Sequence, residues 1–558
     1  MCEQVFTKLS ADVLVVGGGG AALRAALAAA EAGAAVLLVS KGTAGKSGAT
    51  YFSVAELGAF NVPDGAIDPT DSPETFYGDI MDAALGAADP KLAAVVADEA
   101  EMAKDYLEDC GMEFARNEDG SYMGYKACFS SKARSHVVKN HFKPIVAALL
   151  KKVEENGIRR LEGVTVTDFI VKDGECAGAF AIRGDEKFEI RAGAVVLAAG
   201  GASTLFRRNM YPADITGDGY AAAHRAGAVI ANMEFIQAGI GLAYPEVNLF
   251  GNQLWEAMPR ITNGKGERFI SRYTVGDFSE RAVLEAKGGH FPFSTRDISR
   301  FVEIAVQREI TEGSPTPRGN VYLDFSETDF DALFKKPGSK LRAMWPLTYE
   351  RFKELGADLY VDKIEIACFA HAINGGILID ENGESSISGL FAAGEVAAGP
   401  HGADRLGGNM SVTCQVFGRR AGAAAAKKAK GHLVPDELAA QEKSEMDFLA
   451  GFGRFDADAA EALLDELQRG ADSALLIVRR KEKLDAFAGK LTELESRLCS
   501  ADGTGEAMPL RRMVELRNLV ETGRMITAAA LTRTESRGSH YRSDYIDTDP
   551  RLSKMLFS

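Results

Sequence analysis

The chain is poor in cysteine. Seven occur in 558 residues, at positions 2, 110, 128, 176, 368, 414 and 499, and no two form a C-x-x-C pair. That scatter excludes a zinc site, an iron–sulfur cluster and a c-type haem within the chain, so no metal is expected. It also fits a reducing compartment. Positive charge is short as well: 64 Lys and Arg face 79 Asp and Glu, a net −15. Phosphate contacts need a basic surface, so nucleic acid is excluded as a partner. Long apolar runs are missing. The most apolar stretch, 21–39, contains Arg24 and Glu31, which excludes a membrane span. The opening residues M-C-E-Q-V-F-T-K-L-S lack a signal-peptide core, and a cytoplasmic location is expected. There is no internal repeat and no low-complexity tail.

Glycine is abundant instead, at 58 residues or about one in ten, against a usual ~7 %. With 46 % hydrophobic and 26 % charged residues, the chain is neither disordered nor fibrous. Its length predicts about three domains, or one large discontinuous one. Residues 12–16, D-V-L-V-V, read as a buried parallel strand that runs into four glycines. Residues 21–32 are strong helix formers and stop at Gly33, and 35–39 form a second buried strand. Together they make a β-α-β unit. Further strand-to-glycine fragments lie at 193–201 and 389–395. Strands this dispersed predict one doubly wound α/β domain with an insertion. The stretch 226–360 carries more aromatics, prolines and charges and reads as that insertion. From 435 onward the pattern is helical, as in E-A-L-L-D-E-L-Q.

Gly17, Gly19 and Ala22 fit G-x-G-x-x-A between strand and helix. Gly17 permits the tight turn, Gly19 lets the backbone approach a pyrophosphate, and Ala22 allows close helix–sheet packing. The pyrophosphate would sit on the helix N-terminus, beside Gly20. An acidic residue about 20 positions on would hold a ribose. Here the second strand ends in Ser40 and Lys41, which departs from a generic NAD site.

These motifs continue in an order that resembles one family. They are V-V-G-G-G-G-A-A-L-R-A-A at 15–26, V-S-K-G-T-A-G-K-S-G-A-T at 39–50 and V-V-L-A-A-G-G at 195–201. T-G-D-G at 216–219, M-E-F-I-Q at 233–237 and S-T-R-D at 294–297 follow. H-A-I-N-G-G-I at 371–377, G-L-F-A-A-G-E at 389–395, H-G-A-D-R-L-G-G-N at 401–409 and E-S-R-G-S-H-Y-R-S-D-Y at 535–545 complete the set. The chain resembles the flavoprotein subunits of fumarate reductase and succinate dehydrogenase, with L-aspartate oxidase and adenylylsulfate reductase as relatives. The resemblance implies FAD. It also implies an FAD-binding domain at 1–225 and 361–434, interrupted by an α+β capping domain at 226–360, and a helical C-terminal domain at 435–558. Ser40, Lys41, Ser47, Gly48, Ala199, Gly200, Asp218, Glu395, Asn409 and Ser411 match cofactor positions. Some relatives attach FAD through a histidine in the 47–48 loop. Gly48 stands there, so the FAD is expected to be non-covalent.

In this family a hydride moves between flavin N5 and a carbon beside a carboxylate. Arg296 matches the proton-donating arginine, and His371 and Arg405 match the side chains that bind carboxylate. His401 is expected to support the flavin or its loop. The chain departs from relatives acting on fumarate or succinate. M-E-F-I-Q is followed by Ala238, Gly239, Ile240 and Gly241, where those relatives carry a histidine. The capping segment reads L-W-E-A-M-P-R-I-T-N, so Glu256 and Arg260 form either a shifted proton relay or a structural pair. Trp255 and Tyr244 are expected to line a larger pocket. The substrate expected is an unsaturated carboxylate bulkier than fumarate. An L-aspartate oxidase-like or adenylylsulfate reductase-like enzyme and an electron-transfer subunit of a larger complex stand as alternatives. An iron–sulfur or other electron-donor protein is the expected partner, which would place the chain at the periphery of a membrane complex.

Overall fold

Val13–Val16 are wholly buried, while Thr7–Asp12 alternate toward solvent. The buried half of this strand, Thr7–Val16, pairs in parallel with Val36–Ser40 on one side and Glu186–Leu197 on the other. Apolar runs with no polar face need cover on both sides, which is why they take the centre of a parallel sheet. Arg159–Glu162 extends the sheet beyond Val36–Ser40. Glu186–Leu197 serves two neighbours. Its first half pairs antiparallel with Glu175–Arg183, which pairs with Thr165–Lys172, and its last residues pair in parallel with Leu390–Ala392. The structure, a computed structural model, describes residues 6–52, 57–249, 251–430, 438–452, 456–500 and 508–557. Cys2 lies outside these.

Helix Gly20–Glu31 follows the glycine turn and packs on helix Asn409–Ala429. The approach is very close: a Cβ on Gly422 would stand 2.2 Å from the Ala25 carbonyl oxygen. This contact brings the motif at 401–409 to the glycine turn at 17–20.

The insertion forms a five-stranded antiparallel sheet in the order 248–249, 236–244, 364–373, 321–324, 260–262. Strand Ile364–Ile373 therefore belongs to the capping sheet, past the expected boundary at 360, and His371 sits near its end. Alternating apolar residues hide such a strand behind one label in sequence; its register with Ile236–Tyr244 reveals its sheet.

Helices Ala457–Ala474, Lys481–Ser500 and Leu510–Thr532 form the C-terminal domain. Leu463 and Leu467, then Leu484, Leu491, Leu494 and Leu498, recur at helical spacing and are buried. The tail that follows is a buried ionic network. Arg533 joins Glu234 of M-E-F-I-Q to Glu535, and Arg537 also holds Glu535. The tail reaches the site region too: Gly538 O accepts from Thr295 N at 2.9 Å and Ser539 Oγ donates to Ala403 O at 2.8 Å. Among the described residues no helix is long and apolar enough to cross a membrane, and no metal-ligating cluster occurs.

Candidate active site

One cavity runs from the glycine turn to His371 and Arg405. At its first end, Gly17 has φ +133 and a Cβ there would stand 2.2 Å from Ala198 O, so only glycine fits the turn. Gly17, Gly19 and Gly20 line the cavity, whereas Ala22 lies behind the turn as its packing residue. Gly19 gives helix Gly20–Glu31 no side-chain cap; Gly20 N donates to Thr50 Oγ1 at 3.3 Å, and the next N–H groups of the first turn remain for a ligand. A Cβ on Gly48 would meet nothing within 4 Å, and one on Gly200 only Ile215 Cδ1 at 3.7 Å. Main chain open to a cavity at a turn, a helix end and a loop is a cradle that fits an extended dinucleotide.

Ser40, Lys41, Ser47, Gly48, Ala199, Gly200, Asp218, Glu395 and Ser411 also line the cavity. Their side chains are largely engaged with the protein. Ser40 Oγ donates to Gly42 O at 2.7 Å, Ser47 Oγ to Thr43 O at 2.8 Å, and Ser411 Oγ to Ala59 O at 2.9 Å. Lys41 Nζ pairs with Asp218 at 2.8 Å and Glu515 at 3.2 Å. Asn518 Nδ2 holds the other Asp218 oxygen at 2.8 Å. Two residues expected to reach the cofactor separately are thus an ion pair in the cavity wall. Asn409 does not line the cavity. It is buried and accepts from Asn61 Nδ2 at 2.6 Å, which fixes the 407–409 turn from behind. Glu395 is buried against Gly201 and accepts from Ile373 N at 3.0 Å. Burial lifts its carboxyl to about 7.

At the other end Arg405 is buried, and its guanidinium has no carboxylate partner among the described residues. Its Nη2 donates to Gln237 Oε1 at 2.6 Å, and Gln237 Nε2 returns a bond to Arg405 O at 3.0 Å. The adjacent Asp404 instead accepts from Ser294 Oγ at 2.6 Å, and burial lifts it to about 7. His371 Nδ1 is buried without a partner among the described residues. Burial, then Arg405 and His141, push this imidazole down to about 3, so it is neutral at ordinary pH. His401 is buried outside the cavity lining, 3.4 Å from Thr413 Oγ1, and supports the loop.

The structure places several of the expected residues away from the cavity. Arg296 is not brought to the cavity lining. Its guanidinium pairs with Asp82 and lies 5.5 Å over the Phe129 ring. Glu256 and Arg260 are not paired with each other: Glu256 accepts from Ser339 Oγ at 2.9 Å, while Arg260 pairs with Asp324 at 2.9 Å and Glu327 at 2.7 Å. Trp255 is in the capping core and Tyr244 is exposed under Arg318. Neither lines the pocket. Strand geometry explains Tyr244: it lies seven residues beyond Gln237, and at ~3.3 Å each that is about 23 Å from Arg405's partner. The small residues after Gln237 leave no void either. A Cβ on Gly239 would stand 2.8 Å from Phe291 O and 3.0 Å from its ring, and one on Gly241 would meet Met210.

The residues that replace them were missed. Tyr211 stacks on His371 at 5.3 Å and 18°, and Phe291 meets it edge-on at 5.7 Å. His141 lines the cavity, its Nδ1 has no partner among the described residues, and burial holds it down to about 4. Asn140 and His141 both have left-handed φ, +60 and +57. The only sequence signal was the asparagine, which tolerates that conformation.

A dinucleotide cradle opening onto a buried arginine and histidine fits the class of FAD-dependent oxidoreductases. Residues 12–411 match the FAD binding domain family, and 464–553 match the fumarate reductase flavoprotein C-terminal family. The chain is 33 % identical to a subunit of the fumarate reductase (CoM/CoB) of Methanothermobacter marburgensis, covering 98 % of this chain and 96 % of that one. The L-aspartate oxidase of Bacillus subtilis is 27 % identical over 85 % of this chain and 81 % of its own. Among solved structures, Mycobacterium smegmatis Sdh1 in complex with UQ1 has a TM-score of 0.84 at 28 % identity, covering 98 % of this chain and 91 % of that one. The E. coli quinol fumarate reductase FrdA has 0.83 at 27 %, covering 99 % and 94 %. The chain belongs to the fumarate reductase/succinate dehydrogenase flavoprotein family, and FAD is its cofactor.

Proposed function

We propose that the protein reduces the Cα–Cβ double bond of an unsaturated monocarboxylate bulkier than fumarate. The observation that carries this is a charge balance. Among the described residues, Lys41 and Arg405 are the lysine and arginine that line the cavity. Lys41 is neutralised by Asp218 and Glu515, which leaves Arg405 as the cation without an ion-pair partner; the carboxyl that acts on it at longer range, Glu395, is lifted to about 7 by burial. One buried, planar guanidinium matches one carboxylate bidentately. A second carboxylate beside His371 would face Tyr211, whose ring suits an apolar substituent.

When bound, FAD supplies the hydride exchange. Arg405 and His371 hold the carboxylate and stabilise enolate-like charge as it develops. Gln237 fixes the guanidinium plane. Arg296 is the proposed proton donor to the neighbouring carbon. Its loop is already tied to the site, because Ser294, two residues before it, bonds Asp404 beside Arg405. Its pair with Asp82, an aspartate that is 68 % exposed, resists release by only about 0–1 kcal/mol. Electrons are proposed to arrive from a separate iron–sulfur or other donor protein. The M. marburgensis relative is named as one subunit of its enzyme, which supports a separate donor protein.

Steady-state assays with reduced viologen, which bypass the donor protein, test the substrate class. Crotonate- and cinnamate-type acids should exceed fumarate in kcat/KM. Fumarate outperforming every bulkier 2-enoate would end this reading. Peroxide release on aerobic turnover of an amino acid would place the enzyme with the oxidases.

A further inference from the structure

We propose that Tyr211 is a third substrate-binding side chain, donating its phenol hydrogen to a carboxylate oxygen held by Arg405 and His371. This rests on the carboxylate reading of the site, and not on the size of the substrate.

The tyrosine is placed by main chain. Ala370 N donates to Arg208 O at 2.8 Å and Met210 N to Ala370 O at 3.2 Å, so the 208–210 segment is strapped to the capping strand one residue before His371. Tyr211 N is fixed by Asn209 Oδ1 at 3.0 Å. The next side chain, Tyr211, must then lie along the imidazole, and its ring does so nearly parallel. This arrangement stacks the two rings, and Tyr211 lines the cavity that Arg405 also lines.

The hydroxyl has no hydrogen-bond partner among the described residues. Tyr211 is half-buried and lines the cavity, so its donor is available to an acceptor on a bound ligand. Three groups then line the same cavity, the Arg405 cation and two neutral donors, His371 and Tyr211, the last two stacked ring on ring. A carboxylate offers about four lone-pair sites and accepts all three. Burial and then the Glu395 charge raise the phenol above its ordinary range. It therefore remains a donor at every working pH and adds no negative charge against the substrate. Because negative charge on the carboxylate oxygens grows during hydride addition, a donor there strengthens in the transition state. The proposal concerns binding and charge stabilisation; the proton added to carbon does not come from this phenol.

Tyr211→Phe keeps the ring stack and removes only the donor. On FAD-loaded enzyme with reduced viologen, kcat/KM for the best acid should fall about 10- to 100-fold. The Kd of the saturated product acid, read from the flavin absorbance change, should rise about tenfold or more. FAD content and the shape of the pH–rate profile should not move. Tyr211→Leu, which also frees the imidazole, should fall further. The proposal is overturned if Tyr211→Phe stays within threefold in kcat/KM and twofold in Kd. It is also overturned if the variant loses FAD, since the phenol would then be holding the cofactor, or if Tyr211→Leu matches wild type. Should fumarate prove the best substrate, the monocarboxylate reading fails, and the same loss measured on fumarate still decides the role of Tyr211.

Discussion

Gly17→Ala separates two costs that are usually lumped together. A methyl at Gly17 would sit 2.2 Å from Ala198 O and 2.7 Å from Ala198 C, an overlap of about 1 Å with atoms that cannot swing away. Ala198 N is bonded to Val16 O at 2.7 Å, so relief means pulling apart the two central strands. Overpacking of this kind costs about 1–3 kcal/mol, and the positive φ adds about 1 kcal/mol for a side chain. The sum, ~2–4 kcal/mol, falls in the turn that cradles the cofactor. At 1.4 kcal/mol per tenfold, FAD should bind roughly 30- to 700-fold more weakly. Gly33→Ala is the control. Gly33 also has a positive φ, +87, but a Cβ there meets nothing within 4 Å, so only the backbone part applies and FAD binding should be unchanged. The assay is fluorescence titration of the FAD-free protein, with thermal melts alongside. If Gly17→Ala keeps its FAD Kd within threefold, the strand contact does not fix the cradle. If Gly33→Ala weakens FAD as much, the effect is general destabilisation.

Glu395 should make stability fall with pH. Its carboxyl rises from an ordinary 4.5 to about 7 on burial, so the stabilising protonated form is fully present below 4.5 and is lost as pH rises through about 7. The difference is ~3 kcal/mol. Urea unfolding of the FAD-free protein at pH 5 and pH 8 should show wild type losing that much more than Glu395→Gln, and parallel losses would refute it. Arg296→Ala should remove most turnover with FAD still bound, whereas Asp82→Asn should change kcat less than about fivefold, because the exposed pair is weak. Wild-type-like turnover in Arg296→Ala would remove this arginine from the mechanism.

What could be read in advance was local. The turn at 17–20 needs glycine because of backbone sterics between consecutive elements, and those are written in neighbouring residues. The same holds for the buried strands 13–16 and 36–39 and for the leucine spacing of the last helices. His371 and Arg405 were legible because each lies in a run of matched motif. The order of the motifs along the chain was enough to give the family and FAD.

Tertiary structure decided what each side chain meets. Lys41 and Asp218 are 177 positions apart, and only the folded sheet makes them one neutral pair. That pairing leaves Arg405 as the cavity cation without an ion-pair partner among the described residues. Trp255 and Tyr244 are near the site in sequence, yet strand length carries them away from it. Tyr211 and His141 come from separate loops and carry no motif, yet they line the site, and Phe291 packs on His371 from a third loop. Local sterics are set by adjacent residues. Charge balance and the shape of a pocket are set by groups that only the completed packing brings together.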